Sequence, residues 1–134
     1  MLLKVFSDGA SRGNPGEAGC GFVIINADEK VIKEGSLYIG HATNNIAEYR
    51  AVFEAAKEAV KLKPTEILFF LDSELIVKQM KGEYKVKNEA LAVIHSELLG
   101  VLKGYKFVFK HVPRELNKLA DKLANKAIDE KITA

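Results

Sequence analysis

The feature that most constrains the fold is a change in hydrophobic periodicity near residue 43. Before it, residues 2–7, 20–26 and 31–39 form three apolar segments with the composition of strands. Three consecutive strands joined by short links predict an antiparallel meander. After it, apolar residues recur at helical spacing, so the chain must combine a sheet with helices that cover it.

The helical part of the sequence contains two more strand-like segments. A helix follows the capping residue Thr43 and is closed by Pro64. Residues 67–71 form a short continuous apolar run, which is typical of a buried parallel strand, and residues 105–111 alternate as a fifth strand. Further helices are predicted over residues 73–82, 88–103 and 115–129. The order β-β-β-α-β-α-α-β-α predicts an α/β fold with a five-stranded mixed sheet flanked by helices.

Several local features are predicted as well. Residues 9–16 collect turn-forming residues and are expected to form a loop. Gly35 is expected at a β-bulge, and Cys20 is expected to be a small buried strand residue. The inward face of the first long helix is predicted to comprise Tyr49, Val52, Phe53, Ala56, Ala59 and Val60. That of the last helix is predicted to comprise Leu116, Leu119, Ala120, Leu123 and Ala127.

Charge is distributed unevenly along the chain. The 134 residues carry 20 basic and 18 acidic side chains, a net charge of +2, and the length suits a single domain over residues 1–134. Residues 1–77 have 8 basic and 11 acidic side chains, a net charge of −3, whereas residues 78–134 have 12 and 7, a net charge of +5. This pattern excludes a uniformly basic binder and is compatible with an acidic site in the first half and a polyanion-binding surface in the second. The alternative is a chance distribution of solvated lysines.

Cysteine content and hydropathy bear on location. A single cysteine cannot form an internal disulfide, which favours a reducing cytoplasm. No apolar run approaches the ~20 residues that span a bilayer. The opening residues are too short an apolar run, and reach an acid too soon, for a signal peptide. We therefore expect a cytoplasmic protein with no membrane contact.

Four carboxylates lie at the ends of predicted elements. Asp8 closes the first strand, Glu48 lies near the start of the first long helix, Asp72 closes the fourth strand and Asp121 lies one turn inside the last helix. Neighbouring first and fourth strands would bring Asp8 and Asp72 together. Converging carboxylates are what a hard divalent ion such as Mg²⁺ requires, and no Cys/His spacing supports zinc. The alternative is four unrelated acids that cap helices or lie on the surface.

Four motifs surround these acids. Residues 7–16 read SDGASRGNPG, residues 43–48 read TNNIAE, residues 71–73 read LDS and residues 117–121 read NKLAD. In this order and on this predicted fold, they resemble the four motifs of the type 1 ribonuclease H family over almost the whole chain. Residues 111–117, which read HVPRELN, are more similar to the archaeal and plant-like branch of the family. The absence of Trp and the short interval between Asp72 and Asp121 indicate that the basic protrusion of the family's larger members is missing.

The resemblance implies both chemistry and ligands. Asp8, Glu48, Asp72 and Asp121 match catalytic acids that bind two Mg²⁺ ions, with Mn²⁺ as a substitute. The family hydrolyses the RNA strand of RNA/DNA hybrids and leaves 3′-hydroxyl and 5′-phosphate ends. Glu48 also matches an acid that contacts a ribose 2′-hydroxyl beside the scissile bond. The implied substrate-binding residues are Gly9, Ala10, Ser11, Asn14, Thr43, Asn44 and Asn45.

The substrate-binding residues have physical roles that suit the family. Asn14, Asn44 and Asn45 match residues that read the 2′-hydroxyl, the group that distinguishes RNA from DNA. Thr43 matches a residue that holds a DNA-strand phosphate, and a helix N-terminus suits an anion. Helix capping is the alternative for Thr43 and the asparagines, and both roles are compatible.

Two residues compete for an assisting role in catalysis. Aligning the last motif places His111 where many bacterial members have a histidine in a mobile loop. His111 also fits the inward side of the last strand, so a packing role is the alternative. The archaeal and plant-like branch favours Arg114 instead, which could contact a phosphate but could not act as a general base.

A reduced substrate-binding edge replaces the protrusion. Tyr84 is surrounded in sequence by Lys78, Lys81, Lys85 and Lys87, and a solvated loop is the alternative for this segment. Overall, the sequence predicts a monomeric ribonuclease H that binds RNA/DNA hybrids, with double-stranded RNA as a further substrate in one variant of this interpretation. The rival hypotheses are another nuclease on this fold and a catalytically silent nucleic-acid-binding module.

Overall fold

The fold is that of a computed structural model of the protein, in which residues 1–131 are described. The strands are β1 (Leu2–Gly13), β2 (Gly16–Asn26), β3 (Val31–Ala42), β4 (Glu66–Leu71) and β5 (Phe107–His111). The helices are α1 (Asn44–Lys61), α2 (Glu74–Met80), α3 (Glu89–Leu102) and α4 (Lys118–Glu130), with a short 3-10 helix at Arg114–Leu116. No helix within these residues is long and apolar enough to cross a membrane.

The strands form one mixed sheet in the order β3-β2-β1-β4-β5. The first three strands are antiparallel neighbours, whereas β4 runs parallel to β1 and β5 parallel to β4. This arrangement confirms the predicted meander, the predicted buried parallel strand and the order of elements. Parallel pairing of β1 with β4 directs both strands toward the same edge of the sheet.

Helices cover both faces of the sheet. On one face, α1 buries its predicted stripe: Tyr49, Val52, Ala56 and Ala59 are buried, and Phe53 and Val60 pack against the same core. Helix α3 adds Leu91, Leu98 and Leu102 to this core. On the other face, α4 crosses β2 so closely that a side chain at Gly21 would lie 2.2 Å from the carbonyl oxygen of Ala120. Glycine is therefore required there for the helix to pack on the sheet.

The predicted loop at residues 9–16 is wrong. Strand β1 continues through Gly13 and β2 begins at Gly16, so only Asn14 and Pro15 form the turn. Asp8 therefore lies inside β1 rather than at its end. The glycines that indicated a loop instead permit close approach, since a side chain at Gly16 would lie 2.0 Å from the carbonyl oxygen of Arg12.

The predicted bulge at Gly35 is also wrong. Gly35 pairs regularly with Phe22, and the register shifts lie opposite Ala18/Gly19 and Ile24/Ile25. A side chain at Gly35 would lie 2.0 Å from the Phe22 ring, so the glycine accommodates an aromatic neighbour. Cys20 is buried as expected, at 1% exposure.

The last helix begins later than expected. Residues 114–116 form the 3-10 helix, and α4 starts at Lys118. This offset turns Leu116 and Leu119 outward, to 63% and 43% exposure, which corrects the prediction that both face inward. Ala120, Leu123 and Ala127 are buried as predicted.

Candidate active site

Three of the predicted acids converge at one edge of the sheet. Asp8, Glu48 and Asp72 each offer a carboxylate oxygen, and these oxygens lie within 4.8 Å of one another. The last pair between β1 and β4 joins Phe6 to Phe70, so Asp8 and Asp72 each follow two residues beyond it. Parallel register therefore brings these two carboxylates together.

The close approach of α1 to β1 adds the third acid. A side chain at Gly9 would lie 2.2 Å from the backbone nitrogen of Glu48, so the helix backbone rests directly on the glycine beside Asp8. The N-cap Thr43 fixes where this helix begins, because its hydroxyl accepts a hydrogen bond from the Ile46 amide at 3.2 Å. The capping role predicted for Thr43 is thereby confirmed.

Burial and mutual repulsion strongly raise the pKa values of two of these acids. Desolvation, followed by the charge of Asp72 and a hydrogen bond to Asp121, raises the pKa of Asp8 to about 9. Desolvation and the charge of Asp72 raise the pKa of Glu48 to about 7, while Ser73, Asn44 and Arg114 act in the opposite direction. The centre therefore holds more negative charge than its surroundings neutralise, which costs free energy.

The donor set fits a hard divalent cation. Oxygen atoms from three carboxylates converge, and Oε2 of Glu48 is buried without a hydrogen-bond partner among the described residues. Mg²⁺ is held in proteins by carboxylates with water and substrate phosphate completing its shell. A bound cation would stabilise the ionised carboxylates that desolvation and repulsion disfavour.

Asp121 lies beside this group on the other face of the sheet. Asp8 pairs with Gly21 across β1 and β2, and α4 passes directly over that pair. Asp121, in the first turn of α4, raises the pKa of Asp8 through a hydrogen bond and through its charge. Its side chain is exposed, and its oxygens lie outside the group of three.

Asn117 is a site residue to which sequence reasoning assigned no role. It is 1% exposed, and its amide donates to Oδ2 of Asp72 at 3.1 Å and to the carbonyl oxygen of Ser7 at 2.8 Å. The amide thus ties Asp72 to β1 immediately before Asp8. Its place in the NKLAD motif was the available signal.

The implied substrate-binding residues form a continuous surface next to the acids. The backbone amide of Asn44 donates to Oδ1 of Asn14 at 3.1 Å, and its side chain donates to Oε1 of Glu48 at 3.0 Å. The Ser11 hydroxyl donates to the carbonyl oxygen of Ala42 at 2.8 Å. The β1–β2 turn and the N-terminus of α1 are therefore joined into one surface. Asn45 is exposed on it, and Ala10 is half-buried.

The two candidate assisting residues lie in different places. Arg114 opens the 3-10 helix, lines a cavity of about 280 Å³ with Lys118 and Asp121, and lowers the pKa of Glu48. His111 ends β5, is exposed and interacts with the charge of Glu74. The alternative that His111 packs inward is wrong: it lies on the same face of β5 as the buried Phe109, but β5 ends there and the His111 side chain is exposed. The catalytic role of either residue stays a prediction.

The basic segment after α2 is exposed, as a substrate-binding edge requires. Tyr84 is 51% exposed, and Nζ of Lys78 lies 5.0 Å from its ring centroid. Nζ of Lys78 also forms an ion pair with Oε1 of Glu74 at 2.8 Å, and this pair partly offsets the negative charge of Glu74. Lys85 and Lys87 line a cavity of about 440 Å³ together with Tyr84.

Stability without metal should depend on pH in a defined direction. Asp8 and Glu48 have ordinary pKa values of 3.8 and 4.5 but values of about 9 and about 7 in the fold. The folded state therefore binds more protons between these limits, and the free energy of unfolding should fall as pH rises from about 4 to about 9. The thermal midpoint in EDTA should decline over this window, and added Mg²⁺ should remove most of the decline. Equal pH slopes with and without Mg²⁺ would contradict the electrostatic description of the centre.

The ribonuclease H-like class of proteins is defined by this sheet order together with its acids: Asp8 on β1, Asp72 directly after the parallel strand β4, and Glu48 on α1. Residues 6–127 match the family model described as reverse transcriptase-like. The chain is 33% identical over 144 residues to the ribonuclease H of Geotalea uraniireducens, covering 96% of this chain and 95% of the relative. The chain belongs to the type 1 ribonuclease H family, which confirms the resemblance seen in the motifs.

Solved structures agree with this assignment. The RNase H1 of Halobacterium salinarum superposes with a TM-score of 0.93 at 37% identity, covering 97% of this chain and 99% of that one. LC11-RNase H1, from a compost metagenome, has been solved in complex with an RNA/DNA hybrid and superposes with a TM-score of 0.90 at 40% identity, covering 96% of this chain and 98% of that one.

A longer mycobacterial relative is also similar. Bifunctional protein Rv2228c of Mycobacterium tuberculosis is 42% identical over 131 residues, covering 96% of this chain. This chain spans only 36% of that relative's length.

Proposed function

We propose that this protein is a metal-dependent endoribonuclease that hydrolyses the RNA strand of RNA/DNA hybrids and leaves 3′-hydroxyl and 5′-phosphate ends. The observation that carries the proposal is the convergence of Asp8, Glu48 and Asp72 within 4.8 Å, without enough positive charge nearby to neutralise them. A similar protein, LC11-RNase H1, binds an RNA/DNA hybrid, which supports the choice of substrate.

The acids would hold two Mg²⁺ ions, with Mn²⁺ as a substitute. When bound, such ions lower the pKa of a water molecule and stabilise the charge that develops on the leaving 3′ oxygen. Asp8 and Asp72, at the centre of the group, are the proposed shared ligands. Glu48 and Asp121 would complete the set from the two flanking helices.

Neighbouring side chains would orient the hybrid. Asn14 and Asn44, joined by a hydrogen bond of 3.1 Å, present polar groups beside Glu48 that could read ribose 2′-hydroxyls. Thr43, at the N-terminus of α1, would meet a DNA-strand phosphate, where the helix dipole favours an anion. Gly9 and Ala10 add little side-chain bulk to this surface. The protein would act as a monomer in the cytoplasm, with double-stranded RNA as a further substrate.

The decisive experiment compares duplex types. End-labelled RNA/DNA, RNA/RNA and DNA/DNA duplexes of one sequence would be incubated with the protein, with Mg²⁺ or with EDTA. We expect Mg²⁺-dependent cutting of the RNA strand in the hybrid and none of the DNA/DNA duplex. Absence of metal-dependent cutting would overturn the enzyme assignment, and equal cutting of DNA/DNA would indicate another kind of nuclease on this fold.

Substitutions should separate the two assisting candidates. We expect Arg114→Ala to lower the cleavage rate by roughly 100-fold, because its charge acts on Glu48 at the centre. His111→Ala should change the rate by less than about threefold, since its side chain is exposed and faces Glu74.

Lys118→Ala is the matched control for this comparison. It removes one positive charge from the same cavity as Arg114 and should have a small effect. Single-turnover rates on the hybrid measure all three variants. A large loss with His111→Ala and a small one with Arg114→Ala would reverse the assignment.

A further inference from the structure

The β1–β2 turn is linked to α4 by one arginine. Nη1 of Arg12 lies 2.6 Å from Oδ1 of Asp129, an ion pair that joins the strand to the last turn of the helix. Nη2 of the same guanidinium donates to Oδ1 of Asn125 at 3.4 Å and to the backbone carbonyl oxygen of Asn125 at 3.5 Å. Arg12 therefore contacts α4 at two positions one turn apart and reaches toward the active site through Asn125.

Asn125 in turn contacts the fourth acid. Its Nδ2 donates to Oδ1 of Asp121 at 3.3 Å and to the carbonyl oxygen of Asp121 at 3.0 Å. A guanidinium has donors but no acceptor, so Arg12 can pair only with the oxygen of the amide. With the amide nitrogen toward Asp121 both contacts of the amide are favourable, whereas the opposite orientation would place its oxygen against the carboxylate and its nitrogen against the guanidinium.

Two of the other three acids, Glu48 and Asp72, are held by amides as well. Asn44 donates to Glu48 at 3.0 Å, and Asn117 donates to Asp72 at 3.1 Å. An amide orients a carboxylate without cancelling its charge, whereas a lysine or arginine in its place would compete with a cation. Neutral donors therefore suit carboxylates that must remain available to bind metal.

We propose that Asn125 is a positioning residue for Asp121 and that Arg12 sets the orientation of its amide. This inference rests on the proposed metal-binding function. Asp121 needs such support because it is exposed in the first turn of α4 and lies outside the group of three converging acids. The contacts from Arg12 through Asn125 also join Asp121 to β1, the strand that contributes Ser11 to the substrate-binding surface.

Metal binding tests this inference directly, without substrate. Mn²⁺ would be titrated into the intact protein, and free ion would be counted by electron paramagnetic resonance. Asn125→Ala should weaken Mn²⁺ binding by about 10-fold, the usual lower range for loss of a residue that orients a metal ligand. Arg12→Met, which leaves Asn125 in place but frees its amide to rotate, should weaken binding in the same direction.

Asp129→Asn is the matched control. It removes the ion pair between Arg12 and α4 but leaves the contact between Arg12 and Asn125, so Mn²⁺ affinity should stay within about twofold of wild type. The double variant Arg12→Met/Asn125→Ala should bind Mn²⁺ as Asn125→Ala does, because Arg12 acts through Asn125. Thermal midpoints would be recorded for every variant.

The outcomes are distinct. Wild-type affinity in Asn125→Ala, or an equal loss in Asp129→Asn, would overturn the positioning role; the second result would assign the effect to docking of α4. Additive losses in the double variant would overturn the role of Arg12. Failure of the wild-type protein to cut the hybrid while it still binds Mn²⁺ would refute the proposed function alone.

Discussion

Asp8→Asn is expected to abolish cleavage of the hybrid and, in EDTA, to make the protein more stable. The substitution removes a carboxylate at the centre of the proposed metal site, so the rate should fall by roughly a thousand-fold or more. It also removes an acid whose pKa is raised to about 9 by burial and by its neighbours. At neutral pH the folded state therefore no longer bears the cost of keeping a proton that the unfolded chain releases.

Three measurements check this prediction together. Cleavage would be followed on labelled hybrid, binding by fluorescence anisotropy, and the thermal midpoint in EDTA, which should rise by about 4 °C or more near neutral pH. Binding should be retained, because the surface around Asn14 and Asn44 is unchanged. Asp28→Asn, the same chemical change in the exposed β2–β3 turn, should leave all three unchanged.

Two results would contradict the prediction for Asp8→Asn. Cleavage that survives Asp8→Asn would place the reactive centre elsewhere. A lower thermal midpoint in EDTA would show that Asp8 contributes to stability as an ionised partner, contrary to its environment of carboxylates.

The periodicity of the sequence was enough to predict the sheet and its helices. The run at residues 67–71 could be assigned to a parallel strand because both of its faces are apolar, and β4 confirms it. The exceptions share a cause. The turn-forming tendency of Gly9, Gly16 and Gly35 predicts a loop or a bulge, but each lies in a strand where a neighbouring backbone or ring leaves no room for a side chain. Such approaches depend on tertiary packing, which local sequence does not reveal.

Only part of the candidate site can be predicted from the sequence, because the contacts that complete it depend on tertiary packing. Asp8, Glu48 and Asp72 are predicted ligands because they lie in motifs that resemble those of the type 1 ribonuclease H family, and the structure brings them together. The amides that orient acids resemble ordinary capping residues in sequence. The spacing of Asp121 and Asn125 did offer a signal, because residues four apart are neighbours on a helix.

Gly9→Ala is expected to weaken both the fold and the activity. The added methyl would lie 2.2 Å from the carbonyl carbon of Ala47 and from the amide nitrogen of Glu48. Both are backbone atoms and cannot rotate away, so β1 and α1 must separate. We expect a loss of about 2–3 kcal/mol in the free energy of unfolding. Displacing Glu48 by about 1 Å from its partners should also slow cleavage by roughly 100-fold.

Gly100→Ala provides the matched control, because it adds the same methyl where nothing lies within 4 Å. Gly100 is exposed within α3, so alanine there should stabilise the helix by about 1 kcal/mol and leave cleavage unchanged. Urea unfolding and single-turnover cleavage, measured on both variants, separate the two consequences. If Gly9→Ala unfolded at the same urea concentration as wild type, β1 and α1 could not be in the contact described. If its stability fell while cleavage stayed at the wild-type rate, the placement of Glu48 would not limit the reaction, because the same displacement moves both the backbone contact and the carboxylate.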